Sequence, residues 1–139
     1  MRCIPTRPWS DYPIVDCQED LVELKNSFYC LEPHPYFSLG APYGKYSNPW
    51  RLREGVFSRL LFAQECLKLD SPNLLLAIFD AWRPIPVQAF MLEHSINAQC
   101  LARGLNRNDD TQKTALREVV EEVEKFWAPP TLDSSNPPP

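Results

Sequence analysis

The longest unbroken apolar run in the chain is Leu74-Leu75-Leu76-Ala77-Ile78-Phe79. It lacks alternation, follows the turn signal Ser71-Pro72-Asn73 and stops at Asp80-Ala81-Trp82-Arg83-Pro84, a pattern that predicts a strand covered on both faces. Pro84 and Pro86 forbid its continuation. Upstream the period changes. Leu52, Val56, Leu60, Ala63 and Leu67 recur at three- and four-residue steps, widened by Phe57 and Leu61, with Arg51, Arg53, Arg59, Gln64 and Lys68 off that face. This predicts a helix that starts at Ser47-Asn48-Pro49, where a side-chain oxygen can cap and proline is tolerated, and runs to about Leu69.

After Pro86 a second helix is predicted through Val87, Phe90, Met91, His94 and Ile96 to Leu101, ended by Arg103-Gly104. A third opens at Asn108-Asp109-Asp110. Its apolar stripe of Leu116, Val119, Val120, Val123 and Phe126-Trp127 opposes Lys113, Arg117, Glu121, Glu122 and Lys125, and Ala128-Pro129-Pro130 stops it. Residues 1–15 read as an extended proline-rich lead-in, and Asp16 to Lys25 suits either a short helix or an edge strand. Between Tyr29 and Tyr46, Pro33-His34-Pro35-Tyr36-Phe37 and Gly40-Ala41-Pro42-Tyr43-Gly44 form loops whose aromatics should pack over something.

A strand buried on both faces needs partner strands for its amides and carbonyls, yet only one is convincing here. The expected class is therefore α+β: helices packed on a mixed or antiparallel sheet of which this chain supplies the first strand or two. Residues 1–139 read as a single domain, incomplete as a fold, with 129–139 as a proline-rich connector.

Composition narrows the function. With 139 residues, 44% apolar and 12% aromatic, the chain can build a packed core. A net charge of −4 and the lack of a Lys/Arg cluster argue against a nucleic-acid surface. No span is long enough to cross a bilayer, and no apolar run follows the basic N-terminal residues as a secretory signal requires. Cys3, Cys17, Cys30, Cys66 and Cys100 are scattered, odd in number and never form a CxxC pair, which fits reduced thiols in a cytoplasmic protein better than a metal site.

Neither histidine sits in a metal-ligand or nucleophile pattern: His34 lies between two prolines, His94 follows Glu93 on a predicted helix, and both read as non-catalytic. Asp109-Asp110 and Glu121-Glu122 fit a helix start and a solvated helix face. Gly40 to Gly44 matches no phosphate-binding loop. Arg83 remains. Its planar guanidinium stays charged near pH 7 and offers donors to an oxyanion or carboxylate, although the same residue could simply pair with Asp80 and hold a loop.

Asp80-Ala-Trp-Arg-Pro-Ile-Pro-Val-Gln88 resembles the zinc-dependent D-alanyl-D-alanine dipeptidases, whose strand ends in a similar acid-small-aromatic-Arg-Pro signature. The likeness extends upstream through Tyr36-Phe-Ser-Leu-Gly40, Tyr43-Gly-Lys-Tyr46 and Leu52-Arg53, and downstream through the helices to Pro137-Pro138-Pro139. It implies that Arg83 stabilises the tetrahedral oxyanion formed when zinc-bound water attacks the peptide carbonyl, with a glutamate as base. The zinc ligands of that family lie in a Ser-x-His-x-x-Gly-x-Ala-x-Asp-type motif and a later Glu-x-x-His-type motif, and neither occurs here. No metal ligand or base is therefore assigned. The resemblance implies the N-terminal part of a dipeptidase acting on D-Ala-D-Ala in cell-wall precursor metabolism, inactive without a C-terminal half that could be a separate chain; the alternative is a non-catalytic module gripping a peptide or carboxylate with Arg83.

Overall fold

The computed structural model describes residues 15–44 and 48–130; the predicted lead-in up to residue 14, Ser47 and the stretch 131–139 lie outside them. In chain order the elements are β1 (Leu21–Glu23), β2 (Tyr29–Cys30), α1 (Pro35–Ser38), β3 (Arg51–Arg53), α2 (Glu54–Asp70), β4 (Ala77–Ile78), α3 (Ile85–Ala102) and α4 (Lys113–Val123), the last entered through a 3-10 turn at Asp110–Gln112. The fold is α+β. Its strands form two separate pairs: β1 runs antiparallel to β3 with Val22 opposite Leu52, and β2 runs parallel to β4 with Tyr29 opposite Ala77. Of the two readings open for Asp16 to Lys25, the strand is the one formed.

α3 and α4 form where their periodicity places them, but α4 ends at Val123 rather than at the predicted Ala128-Pro129-Pro130 stop, and Phe126 of its predicted stripe is exposed. Asp109 caps the turn before α4 by accepting from the Thr111 amide at 2.9 Å, and Gly104 ends α3 at a positive φ of 65°, where a glycine carries no Cβ penalty. Ile96 and Cys100 of α3 meet Val119 and Val123 of α4 in one buried cluster. A second joins Tyr36, Ala41, Tyr43, Val87 and Met91, and Trp127 packs against both. A third, of Leu24, Phe28 and Trp50, is covered by Phe57, Leu60 and Leu61 of α2 and by Leu76 and Ile78.

Two further expectations are corrected. The helix predicted from Asn48 begins only at Glu54, because Arg51–Arg53 pair with β1 and Asn48 instead accepts from the Trp50 amide at 2.9 Å to make a local turn. The true start of α2 is capped from a distance: the Gly55 amide donates to Glu19 Oε2 at 2.7 Å, setting a carboxylate on the positive end of the helix. Leu52 therefore serves β3, and the packed face of α2 is Phe57, Leu60 and Leu61 together with Gln64, expected off that face but buried with its Nε2 donating to the Ser27 carbonyl at 3.2 Å, while Val56 and Ala63 are exposed. The second correction concerns the apolar run. Only Leu76 and Ile78 turn inward, and Leu74, Leu75, Ala77 and Phe79 are exposed, so the strand is covered on one face. Among the described residues no helix is long and apolar enough to cross a membrane.

Candidate anion site at the end of β4

The five residues after the strand point to different places. Ala81 packs against the cluster under α2, Trp82 against the one under α3, and the Trp82 amide donates to the Pro49 carbonyl at 2.9 Å, tying the segment to the neighbouring chain. The Arg51 guanidinium lies over the Trp82 ring at 4.5 Å. Pro84 then opens α3 with extended backbone. Asp80 and Arg83 are left at the junction, one turned in and the other out.

Arg83 is tightly held. Its Nε donates to Asp80 Oδ2 at 3.1 Å and its Nη2 donates to the same oxygen; Nη2 also donates to the Tyr36 hydroxyl at 3.2 Å, and Nη1 to Gln88 Oε1 at 3.0 Å. Of the five guanidinium N–H groups, four are engaged among the described residues, which leaves one on Nη1 for a ligand. The rings of Tyr36 and Trp127 lie 5.0 and 5.2 Å from its central carbon. Its side chain stays 31% exposed. Gln88 extends the clamp, because its Nε2 donates to the Ala128 carbonyl at 2.7 Å and so joins the arginine to the chain after α4.

Asp80 is 12% exposed in its side chain, with Oδ1 turned toward His34. His34 Nδ1 accepts from the Tyr36 and Phe37 amides at 3.2 and 3.3 Å, capping α1, so a neutral ring carries its proton on Nε2. That Nε2 lies 3.4 Å from Asp80 Oδ1, at the long limit of a hydrogen bond, and neither atom has a better partner among the described residues. Burial lowers the pKa of His34 and the Arg83 charge lowers it further, against an upward pull from Asp80. Burial likewise raises the pKa values of Tyr36 and Tyr43, so both phenols stay neutral hydrogen-bonding groups.

Arg83 and Asp80 thus stand together as the sequence suggested, and the loop-holding pair is formed in addition to an available donor. His34 is a buried cap rather than an exposed base, and His94 stacks on Phe90 at 6.0 Å along α3. In the sequence, Gln88 and Tyr36 sit inside the quoted motifs with no role legible for either, and Trp127 sits on a predicted helix stripe. A hydrophilic side chain one turn into α3 and an aromatic directly after a proline were the available signals. Among the described residues no three His, Cys, Asp or Glu side chains gather to hold a metal, so these residues do not fit the zinc centre that the resemblance implies.

No family model matches the sequence, and no solved structure matches the fold. A curated protein does: the D-alanyl-D-alanine dipeptidase of Synechocystis sp. is 35% identical over 136 residues, 97% of this chain and 54% of that protein. The chain spans about half the length of the curated relative it matches. That identity runs through nearly the whole sequence, and the Asp80 to Gln88 signature is built into a held arginine, so the chain is similar to a D-alanyl-D-alanine dipeptidase over nearly all of its own length.

Proposed function

We propose that this chain supplies the oxyanion side of a D-Ala-D-Ala dipeptidase site, with Arg83 as the residue that stabilises the tetrahedral intermediate. The observation that carries the reading is the guanidinium fixed by Asp80, Gln88 and Tyr36 with one Nη1 donor left over. Such a donor is already oriented when negative charge develops, and groups of this kind contribute about 10²- to 10³-fold to rate. Because the guanidinium remains protonated throughout, Arg83 stabilises charge and takes no part in proton transfer. The zinc and general base of the family reaction are roles that these residues do not fill, and the chain by itself is expected to leave D-Ala-D-Ala intact. The free cysteines at 17, 30, 66 and 100 support a reducing, cytoplasmic setting.

The test is release of D-alanine from D-Ala-D-Ala by the chain alone and by the chain co-expressed with the part of the Synechocystis dipeptidase outside the aligned region. Turnover is expected only from the combination, and Arg83→Ala should lower kcat by about 10²- to 10³-fold. Turnover by the chain alone, or turnover indifferent to Arg83→Ala, would overturn the reading. The free Nη1 donor, on a guanidinium packed against the Tyr36 and Trp127 rings, favours one alternative, a module that holds a carboxylate without chemistry. Calorimetric binding of D-Ala-D-Ala to the chain alone, lost in Arg83→Ala, would select it.

A further inference from the structure

The β2–β4 pair has one face in the core and one in solvent. Cys30, Leu76 and Ile78 form the inner face. The outer face is also apolar: Tyr29 is 63% exposed, Leu31 37%, Leu75 64% and Phe79 53%, with exposed Ala77 between the last two. The register puts Tyr29 beside Ala77, and continuing it sets Leu31 beside Phe79, so these side chains share one surface. Parallel strands are ordinarily covered on both faces, and contiguous exposed apolar surface of this kind marks an interaction site. Among the described residues β4 has a single strand neighbour, which leaves its other edge available for pairing.

We propose that this face and edge dock the remaining half of a dipeptidase fold, the polypeptide corresponding to what the Synechocystis relative carries outside the aligned region. Two observations select that occupant. The relative holds nearly as much sequence again as the part this chain matches. The face also leads into the arginine site: Phe79 meets Tyr36 edge-on at 6.2 Å, and the Tyr36 hydroxyl accepts from Arg83. A segment laid along β4 therefore ends beside the free Nη1 donor and closes the site from the side where the described residues leave it open. The inference rests on the proposed function for its choice of partner, but its readout is association rather than turnover.

The chain is co-expressed with the unaligned part of the Synechocystis dipeptidase, and the affinity and stoichiometry are measured by analytical ultracentrifugation. A one-to-one complex is expected, weakened at least about tenfold by Leu75→Asp and by Phe79→Asp, which place a charge on the buried face. Phe62→Asp, on the exposed side of α2, is the control and should leave affinity unchanged. Circular dichroism of each variant shows that the fold is retained, since all three positions are exposed. Absence of a complex, a complex indifferent to Leu75→Asp and Phe79→Asp, or dimerisation of the chain through this face would overturn the proposal. A complex broken by Phe79→Asp whose turnover ignores Arg83→Ala keeps the docking face and removes the role of the arginine; the opposite pattern keeps the arginine and removes the face.

Discussion

Asp80 divides its surroundings into two unequal sides. Oδ2 faces Arg83 across charge-assisted hydrogen bonds, and the arginine is further held by Gln88, Tyr36 and the Trp127 ring. Among the described residues Oδ1 faces a single partner, the His34 Nε2 at 3.4 Å, in a buried setting of Trp50, Tyr43 and Tyr36 rings 4.7 to 5.5 Å from the imidazole. One side is polar, partly hydrated and redundant in hydrogen bonds; the other is aromatic, dry and short of them. The difference explains which charge is kept. Arg83 compensates the carboxylate from the wet side, so the histidine on the dry side gains too little from Asp80 to offset its own desolvation and stays neutral.

The dry side should be the more sensitive to loss of volume. Trp50 is 2% exposed and packs edge-on against His34, so Trp50→Ala is expected to cost about 3–5 kcal/mol in denaturant unfolding, since the site cannot collapse around so large a loss. A cost under about 1 kcal/mol would mean that the aromatic wall is loosely packed. Asp80→Asn tests both sides together. It keeps the shape but removes the charge that Arg83 binds, and a destabilisation of about 2–3 kcal/mol is expected, less than for a fully buried pair because the guanidinium reaches solvent. If Asp80→Asn were neutral, Gln88 and the two rings would suffice to hold Arg83.

The wet side was legible in the sequence and the dry side was not, for physical reasons. Arg83 stands out because a strand ends and two prolines follow within four residues, a local signal that needs no tertiary knowledge. α3 and α4 were legible too, since their stops and caps at Gly104 and Asp109 act within a turn of chain. The His34 cap facing Asp80, the Tyr36 hydroxyl on Arg83 and the Gln88 link to Ala128 join segments remote in sequence, where no periodicity speaks. Tertiary pairing also explains the misplaced start of α2, because β1 draws Arg51–Arg53 into extended backbone against a helical pattern. The apolar run predicted cover on both faces because lack of alternation records only that both faces are apolar.

The neutral state of His34 gives the comparison a pH signature. Its folded pKa is lowered, so below the unfolded value of about 6.5 the unfolded chain binds a proton that the folded chain refuses. Stability is therefore complete above that value and declines as pH falls below it, toward the folded pKa, with a slope of up to about 1.4 kcal/mol per pH unit. His34→Asn keeps a side-chain acceptor at the α1 cap but cannot titrate, and it should flatten this part of the profile. A slope that survives in His34→Asn would assign the proton to another group and leave the dry side without a sign that it excludes charge.

The smallest effect should come from Gln88, on the redundant side. Gln88→Ala deletes the acceptor for Arg83 Nη1 and the donor to the Ala128 carbonyl, yet both former partners can reach water, so about 0.5–1.5 kcal/mol is expected. Its functional consequence separates position from stability. With Gln88 gone, Nη1 has two unspent N–H groups and the guanidinium keeps, among the described residues, only Asp80 and Tyr36 as hydrogen-bonded anchors. If orientation of the donor is what matters, kcat in the reconstituted enzyme falls while KM for D-Ala-D-Ala stays near its original value, because the lost constraint bears on charge that develops only in the transition state. If the extra donor instead binds ground-state substrate, KM falls, and Gln88 limits affinity rather than aiming the arginine.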